Sequence, residues 1–228
     1  MKKIKIDEKS LKRDIVGYQG GIKLNHNSIN EEETTKFIVT VPQNRIGALI
    51  GPEGRVKKKL EDLAKVNINI DSDSGDVVIS TISQDNDPFM AIKARDFVQA
   101  VGRGFNPEIA FSLLDEDCYL EVINLKVTVG VNPNKIQRFK GRIIGKDGKT
   151  RRIIEEATGA KISVFGNTIG IIGTYERLRV AKEAIFMLLE GSKHGTVYAF
   201  LEEKAQIFKL SERELWEKAS RDTKIREH

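Results

Sequence analysis

The residues best placed to do chemistry are two glycine pairs in basic surroundings, Gly51-Pro52-Glu53-Gly54 and Gly145-Lys146-Asp147-Gly148. The chemistry they suit is contact with a sugar-phosphate chain. A glycine has no Cβ, so the backbone there can approach a polymer closely. Arg55 and Lys58 flank the first pair, and Arg142, Lys149, Arg151 and Arg152 flank the second; with Lys146 they supply sequence-independent attraction for phosphate. From Arg138 to Arg152 there are seven basic residues against one acidic, Asp147, whereas Phe200 to His228 balances seven against seven. The formal net charge of +5 is therefore concentrated, as a polyanion site requires. Ile50, Ile143 and Ile144, just before the glycines, would line a shallow groove for about four unpaired bases. Glu53 and Asp147 are unfavourable beside a phosphate, and are expected either to point away or to serve the start of the following helix. Pro52 stands where the second loop has Lys146, so the second loop ranks as the stronger contact.

Other chemistries fit poorly. Gly148-Lys149-Thr150 resembles the end of a phosphate-binding P-loop, but that motif needs a glycine five residues before Gly148, where the chain has Ile143. Asp71 to Asp76 (DSDSGD) lacks the terminal glutamate of a calcium loop and reads as a solvated hairpin. His26, His194 and His228 are scattered, and no nucleophile-base or paired-carboxylate pattern is visible. The chain is read as a binder, not an enzyme, with no cofactor and no metal. The lone Cys118 makes neither a disulfide nor a metal cluster and reads as a small buried residue. With no apolar run near 18 residues and no signal peptide, the expectation is a soluble cytoplasmic protein without a membrane partner.

The glycine pairs must be held by surrounding elements, and those elements recur. Leu49 to Ile70 (LIGPEGRVKKKLEDLAKVNINI) matches Ile143 to Val164 (IIGKDGKTRRIIEEATGAKISV), 94 positions on. Each copy has two aliphatics, Gly-x-x-Gly, basic residues, an aliphatic followed by Glu61 or Glu155, and an alternating apolar run. Strands are predicted at Phe37 to Val41 and Val122 to Val131, then short helices at Asn44 to Ile50 and Asn134 to Ile144. Second helices are predicted over Gly54 to Lys65 and Gly148 to Thr158, with Leu60, Leu63, Ala64, Ile153, Ile154 and Ala157 apolar at helical spacing. Two strands follow in each copy, Asn67 to Asp71 with Val77 to Ser80, and Lys161 to Phe165 with Ile169 to Ile172. Final helices run from Pro88 to Val101 and Tyr175 to Leu189. Their core positions lie 87 apart (Ala94 to Ala181), so the first copy carries seven extra residues, expected around its Asp-rich loop.

The order is β-α-α-β-β-α twice, an α+β fold with three-stranded sheets and helices on one face. The expected division is a charged arm over 1–35, a first unit over 36–104, a connecting helix within 105–119 capped by Asn106 and opened by Pro107, a second unit over 120–192, and a C-terminal helix and tail over 193–228. That last helix, Phe200 to Arg221, is expected to pack on its parent unit through Phe200, Leu201, Ala205, Phe208, Leu215 and Trp216.

Gly141 to Ile162 (GRIIGKDGKTRRIIEEATGAKI) resembles the type I KH family, whose pattern is I-I-G-x-x-G, a helix, then T-G-A-x-I. The chain departs where Lys57 and Arg151 replace the usual aliphatic three positions after the second glycine, which implies a more basic exposed helix face. The pairing of two divergent units resembles the Dim/Pno (partner-of-Nob) family and its relative Krr. That resemblance implies a small-subunit ribosome-assembly factor. Such a factor holds single-stranded RNA at the 3′ end of small-subunit rRNA, with a maturation nuclease and, in archaea, the alpha subunit of initiation factor two as partners. The alternative is a KH-bearing subunit of an RNA-degrading complex, which normally carries a five-stranded barrel that a 35-residue arm cannot hold.

Overall fold

The computed structural model describes residues 36–82 and 88–226; the arm over 1–35 lies outside it, as do the side chains of Leu215 and Trp216. The first unit runs β1 (Lys36–Thr40), α1 (Gln43–Ile50), a 3-10 turn (Pro52–Gly54), α2 (Arg55–Ala64), β2 (Val66–Ile70), β3 (Asp76–Thr81) and α3 (Pro88–Gly102). A connector follows, α4 (Pro107–Ala110) and a 3-10 turn (Phe111–Leu114). The second unit is β4 (Cys118–Asn124), α5 (Leu125–Val129), α6 (Pro133–Ile144), a 3-10 turn (Lys146–Gly148), α7 (Lys149–Thr158), β5 (Lys161–Phe165), β6 (Thr168–Thr174) and α8 (Tyr175–Leu189), and α9 (His194–Arg226) closes the chain. Each sheet is antiparallel, ordered β1-β3-β2 and β4-β6-β5.

Period-two alternation sends one side of each strand to the helices. Val66, Ile68, Val77 and Ile79 are buried with Leu49, Leu60 and Phe97 in the first core, and Ile162, Ile169 and Ile171 with Ile143, Ile154 and Ile185 in the second. Fully burying one such aliphatic contributes about 1.5–3 kcal/mol. Leu63 departs from expectation: Leu60 and Ala64 lie one turn apart on the core stripe, and Leu63 sits beside it, 51% exposed.

Boundaries also differ from the sequence reading: α9 begins at His194, six residues before the expected Phe200, and three other places depart as well. The strand expected over Val122 to Val131 is β4, which starts earlier and ends at Asn124. The Asn124 side chain accepts a hydrogen bond from the Lys126 N–H, capping the short helix α5 in place of more strand. The connector has its Asn106 cap and Pro107 start, but tightens to a 3-10 turn after Ala110. The extra residues of the first copy divide in two. Its hairpin loop has five residues (71–75) against two (166–167), and residues 82–87 separate β3 from α3 where α8 follows β6 directly. In the hairpin, Asp71 turns inward to accept from Ser74 Oγ and from the N–H groups of Asp73 and Ser74. Those hydrogen bonds, the Ser74 hydroxyl first, hold its carboxyl below the usual range.

The units form one body because β6 is covered on both faces. Ile169 and Ile171 face their own helices, while Ile172 joins the first core. A Cβ at Gly170 would fall 2.5 Å from Phe105 Cε2. Ser163 Oγ donates to Arg103 O at 2.9 Å across the same seam. The connector is clamped by Lys93, a buried lysine whose Nζ donates to the carbonyls of Asp115 (2.8 Å), Glu116 (3.2 Å) and Cys118 (2.7 Å). Burial beside this clamp pushes the Cys118 thiol above its usual range. At the far end, Val197 and Leu201 of α9 are buried in the second core, and Phe200 and Phe208 pack against it.

Candidate nucleic-acid interface

Each glycine pair sits in the turn between two helices, and the two turns are near copies. Gly51 and Gly145 have φ of 72° and 73°, Glu53 and Asp147 both 52°, and Gly54 and Gly148 both 75°. The left-handed region that glycine occupies freely is thus used three times in four residues. The middle acidic residues adopt it as well, which Asp tolerates better than most side chains.

The two glycines of a pair do different jobs. A Cβ on Gly145 would overlap Thr150 Oγ1 and lie 2.7 Å from Thr150 N, and a Cβ on Gly51 would overlap the Val56 side chain. The first glycine therefore lets the start of the next helix close on the turn. A Cβ on Gly54 or Gly148 meets nothing within 4 Å. The second glycine leaves open space on the outside of the turn, where a ligand backbone can come close.

The charges are less alike than the backbones. In the first turn Arg55 Nη2 pairs with Glu53 Oε2 at 2.6 Å, an exposed ion pair that sets a carboxylate beside the cation. Pro52 and Lys58 are exposed, and Lys59 lies 4.3 Å over the Phe111 ring. In the second turn Asp147 takes no part in an ion pair among the described residues; its carbonyl accepts from Arg152 Nη2 at 3.1 Å. Lys146 and Lys149 are exposed beside it, with no ion pair among the described residues. Lys57 and Arg151, the departures from the KH pattern, lie near Glu61 (3.7 Å) and Glu155 (3.9 Å), one turn on. Those glutamates also accept from the backbone N–H of Ile68 (2.9 Å) and Ile162 (2.8 Å), tying each second helix to its edge strand.

Two expected contacts need correction. Ile143 is fully buried and lines no groove. It continues the stripe of Ile136 and Phe139 into the core, and Ile144, 37% exposed, is the member of the pair that faces out; Ile50 is half-buried. Arg142 is not a free cation. Its Nε donates to Leu188 O at 3.2 Å and its Nη2 to Ser192 O at 2.5 Å, closing the end of α8. Arg45 does the same in the first unit, to Val101 O and Phe105 O, positions 87 before those two carbonyls. Phe165 is half-buried, with its Cβ close against Gly104.

The sequence reading missed two residues. The first turns of α9 lie against the second glycine turn, where Tyr198 Oη shares a hydrogen bond with the buried Thr150 Oγ1 at 2.9 Å and His194 Nε2 lies 3.0 Å from Arg142 O. With Arg138, Gly141, Gly145, Lys146 and Lys149 they enclose a shallow pocket of about 400 Å³. Nothing local marks them, since both lie more than forty residues from the turn they touch.

Comparison with known proteins agrees with this geometry. Residues 119–206 match the second-domain model of PNO1, a eukaryotic type KH-domain (KH-domain type I), and residues 35–116 match the Krr1 KH1 domain. A KH domain-containing protein of Methanocaldococcus jannaschii is 48% identical over 183 residues, 80% of each chain. The RNA-binding protein pno1 of Dictyostelium discoideum is 32% identical over 190 residues, 80% of this chain and 79% of its own. Among solved structures, the a/eIF2alpha-aDim2p-rRNA complex from Pyrococcus horikoshii contains a chain of 45% identity that superposes with a TM-score of 0.71. It covers 76% of this chain and 96% of that one.

Proposed function

The chain belongs to the two-KH-domain family of Pno1 and Dim2p, and from that premise we propose that it binds single-stranded RNA of the small ribosomal subunit during assembly. The observation that carries this reading is the second glycine turn. It offers exposed Lys146 and Lys149, without an ion pair among the described residues, beside open space at Gly148, with the start of α7 directed at the same place. The first turn, where Glu53 pairs with Arg55 and Pro52 stands in place of a lysine, is the weaker phosphate contact. The RNA is the 3′-end region of small-subunit rRNA, an assignment that draws on the family resemblance. The relative solved with rRNA and a/eIF2alpha supports RNA and the alpha subunit of initiation factor two as partners. A maturation nuclease as partner rests on the resemblance alone. The role is to hold RNA for another protein's chemistry, and the site is the cytoplasmic small subunit.

The test is an anisotropy titration with a strand matching that 3′ end, against scrambled and duplex controls, at two salt concentrations. The matched strand should bind more tightly than either control, with a salt slope of about −2 to −3 for three or four neutralised phosphates. Gly148→Asp should cost at least about tenfold in affinity, because an added carboxylate meets the phosphates, while the fold is retained. A folded Gly148→Asp protein with unchanged affinity would sink the assignment.

A further inference from the structure

We propose that the pocket between α6, α7 and the start of α9 takes one further nucleotide of the bound strand, outside the groove between the second glycine turn and the sheet. The inference rests on the RNA reading above and extends it to residues that reading leaves unused.

The pocket shares Gly145, Lys146 and Lys149 with the glycine turn, so a strand lying on the turn passes its mouth. Its far wall is Tyr198, half-buried and held by the hydrogen bond to Thr150 Oγ1, with His194 one turn earlier and its ring 6.1 Å away. Arg138, Lys146 and Lys149 ring it with positive charge. Cations around an aromatic wall suit a nucleotide, whose phosphate meets the charge and whose base meets the ring. Gly141, which has no atom within 4 Å of its Cβ position, keeps the wall facing Tyr198 low.

The repeat supplies an internal comparison. In the first unit the residue matching Thr150 is Val56, which offers no hydroxyl for a tyrosine, and the chain leaves α3 through Phe105 into the connector, with no helix matching α9. The pocket is thus an addition of the second unit, placed at the turn whose lysines form no ion pair among the described residues. Tyrosine and threonine mark the added wall, and neither is needed by the KH core in the first copy.

Stacking on an aromatic side chain gives a single-stranded nucleic acid about tenfold or more in affinity per base. The experiment compares a four-nucleotide RNA with strands lengthened one nucleotide at a time at either end, on wild type, Tyr198→Phe, Tyr198→Ala and Gly141→Gln, which fills the pocket without adding charge. One added nucleotide, at one end only, should raise wild-type affinity about tenfold. Tyr198→Ala and Gly141→Gln should abolish that step while leaving four-nucleotide binding within about twofold, and Tyr198→Phe should keep it. If Tyr198→Ala fails to fold, Gly141→Gln, exposed in mid-helix, carries the test. No step on lengthening, or a step that survives Gly141→Gln, overturns the proposal, as does saturation of the pocket by free uridine monophosphate with no effect on the longer strands. Loss of four-nucleotide binding in wild type itself would overturn the RNA reading instead.

Discussion

Single residues divide the polar groups of this chain between holding the fold and meeting a ligand. Lys93 is the clearest case of the first. It is fully buried, yet its ammonium donates to three carbonyls of the connector and lies 5.0 Å from the rings of both Phe89 and Tyr119. Buried lysines are rare unless paired, and removing one partner from such a set leaves the others unsatisfied. Lys93→Met keeps the stem and deletes the charge. It should lower stability by about 2–4 kcal/mol, read as a fall in the urea midpoint at unchanged slope, with the connector carbonyls as the cause. Arg142 belongs with Lys93 although it sits among the cations of the second turn. Its sequence neighbourhood says phosphate, and its actual acceptors lie 46 and 50 residues away. No local pattern encodes a contact of that range, and only Arg45, making the matching bonds one helical turn displaced in the first copy, signals it. Ile143 was more legible than the sequence reading allowed. Ile136, Phe139 and Ile143 repeat at i, i+3 and i+7, which puts all three on one helix stripe and turns Ile144 outward.

At the scale of elements the repeat made nearly every helix and strand readable, because two copies of one pattern corroborate each other. What escaped was decided by side-chain bonds. Asn124 ends β4 by capping α5, and Glu61 and Glu155 stand in both copies as repeat markers without an evident task. The task is to accept the outward N–H of the edge strand, at Ile68 and Ile162. This fixes the distance between second helix and edge strand in each unit. The bond is charge-assisted and half-buried, so its loss should cost about 1–2 kcal/mol. Glu155→Ala should therefore lower the melting temperature by a few degrees and speed hydrogen exchange at the Ile162 amide, whereas Glu155→Gln, which keeps an acceptor, should change both less. Equal effects of the two substitutions would mean that helix charge, not the strand bond, is what Glu155 supplies.

At the scale of the whole molecule the two units share a seam that leaves β6 no solvent face. The run from Thr168 to Ile172 is buried without interruption, the pattern of a strand covered on both sides. That much was present in the sequence as TIGII, but the partner for its second face, Phe105 and the end of α3, was not. Gly170 is the point of closest approach, and it is glycine because the Phe105 ring occupies the space of a side chain. Gly170→Val should force the seam apart while Ile169 and Ile171 keep the second core intact. Overpacking of this kind costs about 1–3 kcal/mol, and here the cost falls on the joint between units, not on either unit. Calorimetry should then resolve one cooperative transition into two, and small-angle scattering should report a larger radius. Adding Phe105→Ala should restore part of the lost coupling by vacating the space the valine needs. A strand held by both glycine turns requires their spacing to be fixed, so Gly170→Val should also weaken binding of a long RNA more than of a four-nucleotide one. If long and short strands lose affinity equally, the seam serves stability alone and each turn binds independently.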